Sequence, residues 1–493
     1  MDPELLVSEV KRRTCLLLLA AACLLAAGFA AAVRSGAFLP GWISWEAGAI
    51  TGGAPEEPEA IVLEDRGLRV LSGGETAWET APGIRVQSFL WCDIDRDGAK
   101  ELLLLCWRRG YYGESRPFWV EENDEGWSQH IFIYAWDGET MVPRWMASDL
   151  GREVVSWRFH PVQRLVLTDR EGAVTAWDWR TWGLTNIPLA EEVSFAAVGD
   201  NLIHRQIYSY AFRHWDGDFS PLYEDLAAAL RAYDVTAIQQ EGLFVEAPEE
   251  YASYPLIGTP IQVGEALAEA GFDLVSCAGN HALDFGAAAI DRTAAFFAGR
   301  DILTPGIQPT TEESFVPYVL LEEQGIRWAF LGFTASTNGH RLPEDTPYVL
   351  HTLDDEGQVR LALEEAREAA DLVVVFAHWG TEYAPEPDGD QRRWAQNFAD
   401  WGADVVVGTH PHVLQPWEWV TGKNGNETLV YYSLGNCVSA QTDPACRIGG
   451  LAWFTAAKAG GQCAIVDAGL RTVETTEENG RYGIIVSDVE QDK

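Results

Sequence analysis

The fold is decided by a stretch running V-V-V-F-A-H-W-G-T-E-Y from Val373, Q-R-R-W-A-Q-N-F-A-D-W-G from Gln391, A-D-V-V-V-G-T-H-P-H-V from Ala403 and L-V-Y-Y-S-L-G-N from Leu429. The first and third pieces are short β-branched runs that stop on histidine, at His378 and at His410 with His412. Strands buried on both faces read as continuous Val/Ile/Leu, and open α/β sheets bind ligands just beyond the carboxyl ends of their strands. Between the two runs, Trp394, Phe398 and Trp401 recur at i, i+4 and i+7 to give a helix its apolar stripe. Asp390 is placed to cap that helix and Gly402 to stop it. Strand, helix, strand predicts a right-handed parallel crossover, so both histidine-bearing ends open on one edge of a sheet.

Outward from this stretch, helix and strand patterns alternate from Val193. A strand is expected at 193–198, helices at 221–232, 261–270 and 285–298, strands at 235–239 and 273–277, and a hairpin over 318–333 that turns at Gln324-Gly325. Alternation with repeated crossovers argues an α/β domain. Asp200, Glu241, Asn280, His281, His378, His410 and His412 each fall at or just past an expected strand end. Carboxylates, an amide oxygen and imidazoles on one rim form a mixed O/N set, which suits Zn, Mn or Fe better than Ca or Mg. One lone histidine at a strand end is ordinarily a loop residue; it is the convergence that carries the expectation.

Six ordered pieces, A-V-G-D-N-L-I-H from Ala197, Q-Q-E-G from Gln239, A-G-N-H-A-L-D-F-G from Ala278, H-W-G-T-E-Y from His378, G-T-H-P-H-V-L-Q-P from Gly408 and Y-S-L-G-N from Tyr432, resemble the CapA family of bacterial capsule-synthesis, or poly-γ-glutamate synthesis, proteins. The resemblance implies a calcineurin-like αββα sandwich over 191–460, with 461–493 as a C-terminal extension. It also implies a metal-dependent hydrolase or transferase of metallophosphoesterase type, holding one or two divalent transition ions. Asp200, Glu241, Asn280, His378, His410 and His412 are then the metal ligands, His281 the acid that protonates a leaving oxygen, and Asp284 the group that orients His281. Two departures stand out. The Asp-x-His opening of the wider phosphoesterases is replaced by Asp200 with His204 four residues on, making His204 a further candidate, and the second aspartate motif becomes Gln240-Glu241. Ser433 and Asn436 are candidates to hydrogen-bond substrate; no base is adjacent in sequence, which leaves a serine nucleophile without support. His130, His160, His214, His340 and His351 carry no motif and read as structural or surface groups, as does Arg205.

The rest of the chain is organised differently. Residues 14–33 are an uncharged Leu/Ala-rich run preceded by Lys11, Arg12 and Arg13. Twenty residues at ~1.5 Å each cross a ~30 Å hydrocarbon core. The basic bias keeps residues 1–13 cytoplasmic and the bulk of the chain extracytoplasmic, as a single-pass protein of the cell membrane. A cleaved signal peptide is the rival reading, given Ala30-Ala31-Ala32. Residues 34–60, dense in Gly, Pro and Glu, read as a tether. Residues 61–190 hold 11 of the 21 tryptophans in short alternating runs broken by turn signals, an all-β module of propeller-like or sandwich type. At ~40 to 45 residues per blade the segment holds about three, short of a complete propeller. Within it D-I-D-R-D-G-A-K-E, Asp93 to Glu101, resembles the calcium loops of FG-GAP-type repeats, making Asp93, Asp95, Asp97 and Glu101 candidate calcium ligands.

With 35 basic and 74 acidic residues, the net charge of −39 excludes nucleic acid and anionic lipid headgroups as natural partners. Eight cysteines match no zinc spacing; Cys437 with Cys446 and Cys92 with Cys106 are the pairs to examine for disulfides. The expected function is synthesis, export or attachment of an anionic surface polymer or its precursor, such as poly-γ-glutamate, alongside other membrane components of a polymer-synthesis complex. The alternatives are a non-catalytic polymer-binding or scaffold role for the same pocket and calcium-dependent adhesion through the tryptophan-rich module.

Overall fold

The computed structural model describes residues 19–28, 39–110, 126–147, 150–181 and 183–490. Residues 19–28 are helical, with Leu19, Leu24 and Leu25 exposed; the remainder of the expected 14–33 span lies outside the described residues. Among the described residues no helix is long and apolar enough to cross a membrane. The chain divides into two units, Met1–Leu189 and Ala190–Lys493.

Among its described residues the first unit has three antiparallel sheets, each a meander of four strands consecutive in order. The middle sheet contains Glu101–Arg109, whose run E-L-L-L-L-C-W is buried throughout. Its even residues Leu102, Leu104 and Cys106 pack on the first sheet through Ile61, Leu63, Leu68 and Val70. Leu103 and Leu105 pack on the third through Val154, Leu165 and Leu167. Burial on both faces explains an unbroken apolar strand where the outer sheets alternate. Gly48–Thr51 pairs with Ala60–Glu64, so much of the 34–60 stretch expected to be a tether is the first hairpin of the first sheet. The Gly/Pro/Glu density of residues 52–58 is a hairpin connection, closed by the Gly52 amide donating to the Glu59 carbonyl at 3.0 Å. The described cysteines are free thiols. Cys106 lies opposite Val86, six residues from Cys92 on the neighbouring strand, a separation no disulfide bridges.

The second unit is four layers, helices on two sheets on helices. In the first sheet Glu191–Asn201 has parallel neighbours Val235–Gln240 and Asn436–Val438 and an antiparallel neighbour, Ile448–Ala459. Leu274–Ser276 extends one side. Gln462–Glu478 and Arg481–Glu490 extend the other, so the C-terminal extension continues this sheet. The second sheet runs Val319–Glu323, Ile326–Thr334, Leu372–His378, Val405–Thr409, Glu427–Tyr431, Trp417–Thr421, its four inner strands parallel. Alternation decides what each side chain meets. Val193, Phe195 and Ala197 face Trp328, Phe330, Val374 and Phe376 between the sheets. Ala196 and Val198 face the helices Arg205–His214, Ser220–Leu230, Gln262–Ala270 and Gly286–Ala298. On the far side, Val373 and Val375 meet Glu356–Ala369 and Gly389–Asp400.

The local signals mostly hold. Gln324 and Gly325, both at positive φ, turn the expected hairpin. The helix between the two histidine strands starts two residues earlier than expected: Asp388, not Asp390, caps it, accepting from the Gln391 amide at 2.9 Å while Gln391 Oε1 accepts from the Asp388 amide. That reciprocal box satisfies two helix-end donors, which Asp390 cannot do from inside the first turn.

Two buried positions in the second unit bear on its stability. Gly199 lies against the Gly435 carbonyl so closely that a Cβ there would overlap its oxygen. Gly199→Ala is expected to cost ~3 kcal/mol, because backbone rather than a flexible side chain stands in the way; the urea midpoint measures it. His351, buried between Phe315 and Phe333 with Nε2 3.2 Å from Gln308 Oε1, is the second. Burial pushes its imidazole down to about 3. The unfolded chain therefore takes up a proton below about 6.5 that the folded chain refuses, and stability falls by up to about 1.4 kcal/mol per pH unit from there toward 3. His351→Asn is expected to flatten the parent's extra loss between pH 6.5 and 5 in denaturant titrations.

Candidate metal centre

Strand ends from both sheets, Glu191–Asn201, Val235–Gln240 and Leu274–Ser276 of the first and Leu372–His378 and Val405–Thr409 of the second, bring the expected residues together. Asp200 sits at a register shift in Glu191–Asn201 and is fully buried. Its Oδ2 accepts the His410 backbone N–H at 3.1 Å and faces His412 Nδ1 at 3.5 Å. Its Oδ1 faces His378 Nδ1 at 3.6 Å and has no hydrogen-bond partner. Glu241, one residue past Val235–Gln240, faces His412 Nε2 at 3.7 Å and His281 Nε2 at 3.9 Å through Oε1, and its buried Oε2 is likewise without a partner. Asn280 Oδ1 lies 3.1 Å from His378 Nε2, and the other ring nitrogen of His378 lies 3.0 Å from Thr409 Oγ1, its register partner on the adjacent strand.

His410 and His412 both hold left-handed backbone, φ 95° and 61°, on either side of Pro411. That conformation is costly for non-glycine residues and is retained where surrounding structure enforces it. Here it turns two rings inward: His410 stands 4.8 Å from His378 and 6.1 Å from His412, centroid to centroid, and its Nδ1 is buried without a partner.

The cluster is short of positive charge. Burial, with the neighbouring imidazoles, holds His378 well below the usual histidine range and lowers His410. Burial opposes protonation of His412 too, yet Glu241 and Asp200 together outweigh it and hold that ring up at about 10. Burial lifts the Glu241 carboxyl above its usual range. The ion-pair partners of Asp200 and Glu241 among the described residues are histidines. Two buried carboxylates with an orphaned oxygen each and an orphaned imidazole nitrogen, beside a ring whose proton balances them and would be displaced by an ion, are a donor set that a divalent transition ion fits. Asp200, Glu241 and His412 offer ligand atoms within 4.8 Å of one another.

His281 stands beside the cluster. Its Nδ1 is 2.6 Å from Asp284 Oδ2, which also accepts the Ile257 N–H at 2.8 Å. Burial lowers the His281 pKa, but Asp284 and Glu241 reverse this and raise it. With Nδ1 facing Asp284, Nε2 is the nitrogen turned toward Glu241. His204 behaves differently. Its Nδ1 accepts the Ala440 N–H at 3.2 Å, burial pushes it down to about 4, and neither of its nitrogens pairs with Asp200 or Glu241.

Several residues around the centre take roles other than those expected. Asn436, expected to meet substrate, is spent on the centre: Oδ1 lies 3.0 Å from His412 Nδ1, and Nδ2 donates to Gln441 Oε1 and the Cys446 carbonyl, both at 2.8 Å. Ser433 is buried and donates to the Val413 carbonyl at 2.8 Å, which removes it from substrate contact. Thr409, a neighbour of His410 in sequence, is identifiable only once the strand register is known. His340, read as a surface group, faces Asp284 Oδ1 at 3.5 Å. Glu382, in H-W-G-T-E-Y, acts electrostatically on Glu241, His410 and His412.

In the first unit Asp93, Asp95 and Glu101 come within 4.8 Å of one another. Arg144 already stands among them, bonded to Asp95 and, at 2.6 Å, to Glu101, with Asp97 further off at 3.6 Å. Asp93 caps its own loop, accepting from the Arg96 amide at 2.7 Å and the Gly98 amide at 3.3 Å.

Residues 194–441 match the family described as bacterial capsule synthesis protein PGA_cap. The chain is 37% identical over 180 residues to the PGA biosynthesis protein CapA of Bacillus subtilis (strain 168), covering 36% of this chain and 45% of that one. It is 36% identical over 181 residues to the capsule biosynthesis protein CapA of Bacillus anthracis, covering 36% and 42%. The matched region thus spans under half the length of these relatives. Among solved structures it is similar, loosely, to the calcineurin-like phosphoesterase YfkN from Bacillus subtilis, at 16% identity and a TM-score of 0.36 over 57% of this chain and 90% of that chain.

Proposed function

From the membership of this chain in the PGA_cap family of bacterial capsule synthesis proteins, we propose that it is a metal-dependent hydrolase or transferase acting in synthesis, export or attachment of an anionic capsule polymer such as poly-γ-glutamate. The observation that carries the enzymatic reading is the pair of orphaned buried carboxylate oxygens, Asp200 Oδ1 and Glu241 Oε2, among the inward-turned imidazoles. A scaffold gains nothing from burying them unbalanced.

Asp200, Glu241, Asn280, His378, His410 and His412 would hold one or two divalent ions, Mn, Zn or Fe. Such an ion supplies Lewis acidity toward a phosphoryl or carbonyl oxygen and makes water a competent nucleophile near neutral pH. The chain's own residues supply the rest. Asn436 and Thr409 fix the ring planes of His412 and His378. Asp284 fixes the His281 tautomer, and His281 Nε2 delivers the proton to the leaving oxygen or nitrogen. Substrate class is taken from the relatives' names. The apolar run 14–33 would anchor the chain to the membrane, with other components of the polymer machinery as partners. In the first unit, calcium would enter the Asp93, Asp95 and Glu101 cluster only in competition with Arg144.

The full chain, purified without chelator, is to be assayed for metal by elemental analysis. It is then tested, with Mn or Zn added, on diphenyl phosphate and on a γ-linked glutamate oligomer. Bound transition metal with turnover of either substrate supports the reading. A folded chain that neither carries nor takes up metal sinks it.

A further inference from the structure

The turn Thr337–His340 follows Ile326–Thr334, another parallel strand of the second sheet, and leaves that strand at its carboxyl end. It is built to hold one shape. Asn338 and Gly339 take φ 51° and 81°. The His340 amide donates to the Thr337 carbonyl at 2.9 Å, the Thr337 hydroxyl to the His340 carbonyl at 2.7 Å, and the Asn338 amide to Ser336 Oγ at 3.2 Å. Consecutive left-handed residues in a hydrogen-bonded turn suit Asn-Gly and present the flanking side chains rigidly.

What it presents is aimed at the His281 side of the rim. Asn338 Oδ1 accepts from Asn280 Nδ2 at 3.3 Å, and Asn338 Nδ2 lies 3.4 Å and 3.5 Å from the two ring nitrogens of His281. His340 Nε2 faces Asp284 Oδ1 at 3.5 Å. That oxygen is buried and makes no hydrogen bond, whereas Oδ2 of the same carboxylate holds both His281 and the Ile257 N–H. Asp284 is 1% exposed and His340 39% exposed. One carboxylate therefore lies between two histidines, one turned to the centre and one to the outside.

We infer that His340 is a positioning residue for His281. Standing 3.5 Å from Asp284 Oδ1, it closes the side of the carboxylate turned away from His281 and adds to the two donors on Oδ2 in keeping that oxygen directed at His281 Nδ1, while Asn338 contacts both His281 and Asn280. A buried carboxylate held through one oxygen alone can turn about its Cβ–Cγ bond, which would misalign the acid. The inference rests on the role given to His281 in the proposed function, and it concerns residues that no motif identified.

The test uses the full metal-loaded chain and two substitutions. His340→Phe keeps a ring without a donor, and His340→Gln keeps a donor. On diphenyl phosphate, whose phenolate leaving group needs a proton, His340→Phe is expected to lower kcat about tenfold with KM and metal content unchanged, and His340→Gln to recover most of it. Equal losses in both variants, no loss in either, or a change confined to KM overturns the inference. Should the parent show no turnover, the proposed function fails by itself and proton NMR decides the inference separately. The short His281–Asp284 bond gives a strongly downfield Nδ1–H resonance, assigned by its loss in Asp284→Asn. It must move in His340→Phe and return in His340→Gln. A resonance that stays put in His340→Phe, or a parent with none that Asp284→Asn removes, overturns it.

Discussion

A chain carrying Asp200→Ala is expected to purify without divalent metal and to bind added Mn or Zn at least ~100-fold more weakly than the parent, beyond the usual effect of losing a supporting residue. The size follows from position. Asp200 touches all three cluster histidines: it faces His378 and His412 at 3.6 and 3.5 Å and accepts the His410 backbone amide. Alanine there removes a charge that faces two of the rings and an anchor for the strained His410-Pro411-His412 backbone. Elemental analysis and competition against a chromophoric chelator read the affinity, and circular dichroism reads whether the fold survives. Parent-like metal content in a folded Asp200→Ala chain would remove Asp200 from the centre.

The second large effect belongs to His281. His281→Ala is expected to lower kcat on diphenyl phosphate by ~10² to 10⁴, the range for losing a positioned acid, while leaving bound metal unchanged. The same variant should lose far less on bis(p-nitrophenyl) phosphate, whose leaving group departs without a proton. That contrast separates an acid from a ligand, since loss of a ligand harms both substrates and the metal content alike. Equal losses on the two esters would take His281 out of the role of acid. Asp284→Asn should follow the same pattern with a smaller loss, because it disturbs the tautomer and not the ring.

Much of the second unit was legible because its parallel strands are buried on both faces and its helices on one. Val373–Phe376 and Val405–Val407 announce themselves as continuous apolar runs, and Trp394 and Phe398 mark a helix by spacing alone. Strand ends then located Asp200, Glu241, Asn280, His281, His378, His410 and His412 without coordinates. The helix Arg205–His214 was missed, since its polar face dominates its composition and it has no side-chain cap. The Gly48–Thr51 strand was missed because all four of its residues are exposed, leaving no alternation to read. His340 and Thr409 could not be found from pattern: one reaches Asp284 across 56 residues of chain, the other meets His378 through strand register. Asn436 was noticed for its motif but assigned to substrate, because sequence shows that an amide is near a site and not which way its hydrogen bonds run.

The pairing of Phe195 with Val235 on one side and Phe454 on the other also fixes when the centre comes into being. The first neighbour is 40 residues downstream and the second 259, so the strand bearing Asp200 stays half-paired until nearly all of the second unit has been synthesised. Loop closure over such a span is slow and is rewarded only at its end. An ion would therefore meet the full set of expected ligands only after residue 454 has found residue 195, so supply where the chain folds would bear on which ion is taken up, alongside ligand chemistry.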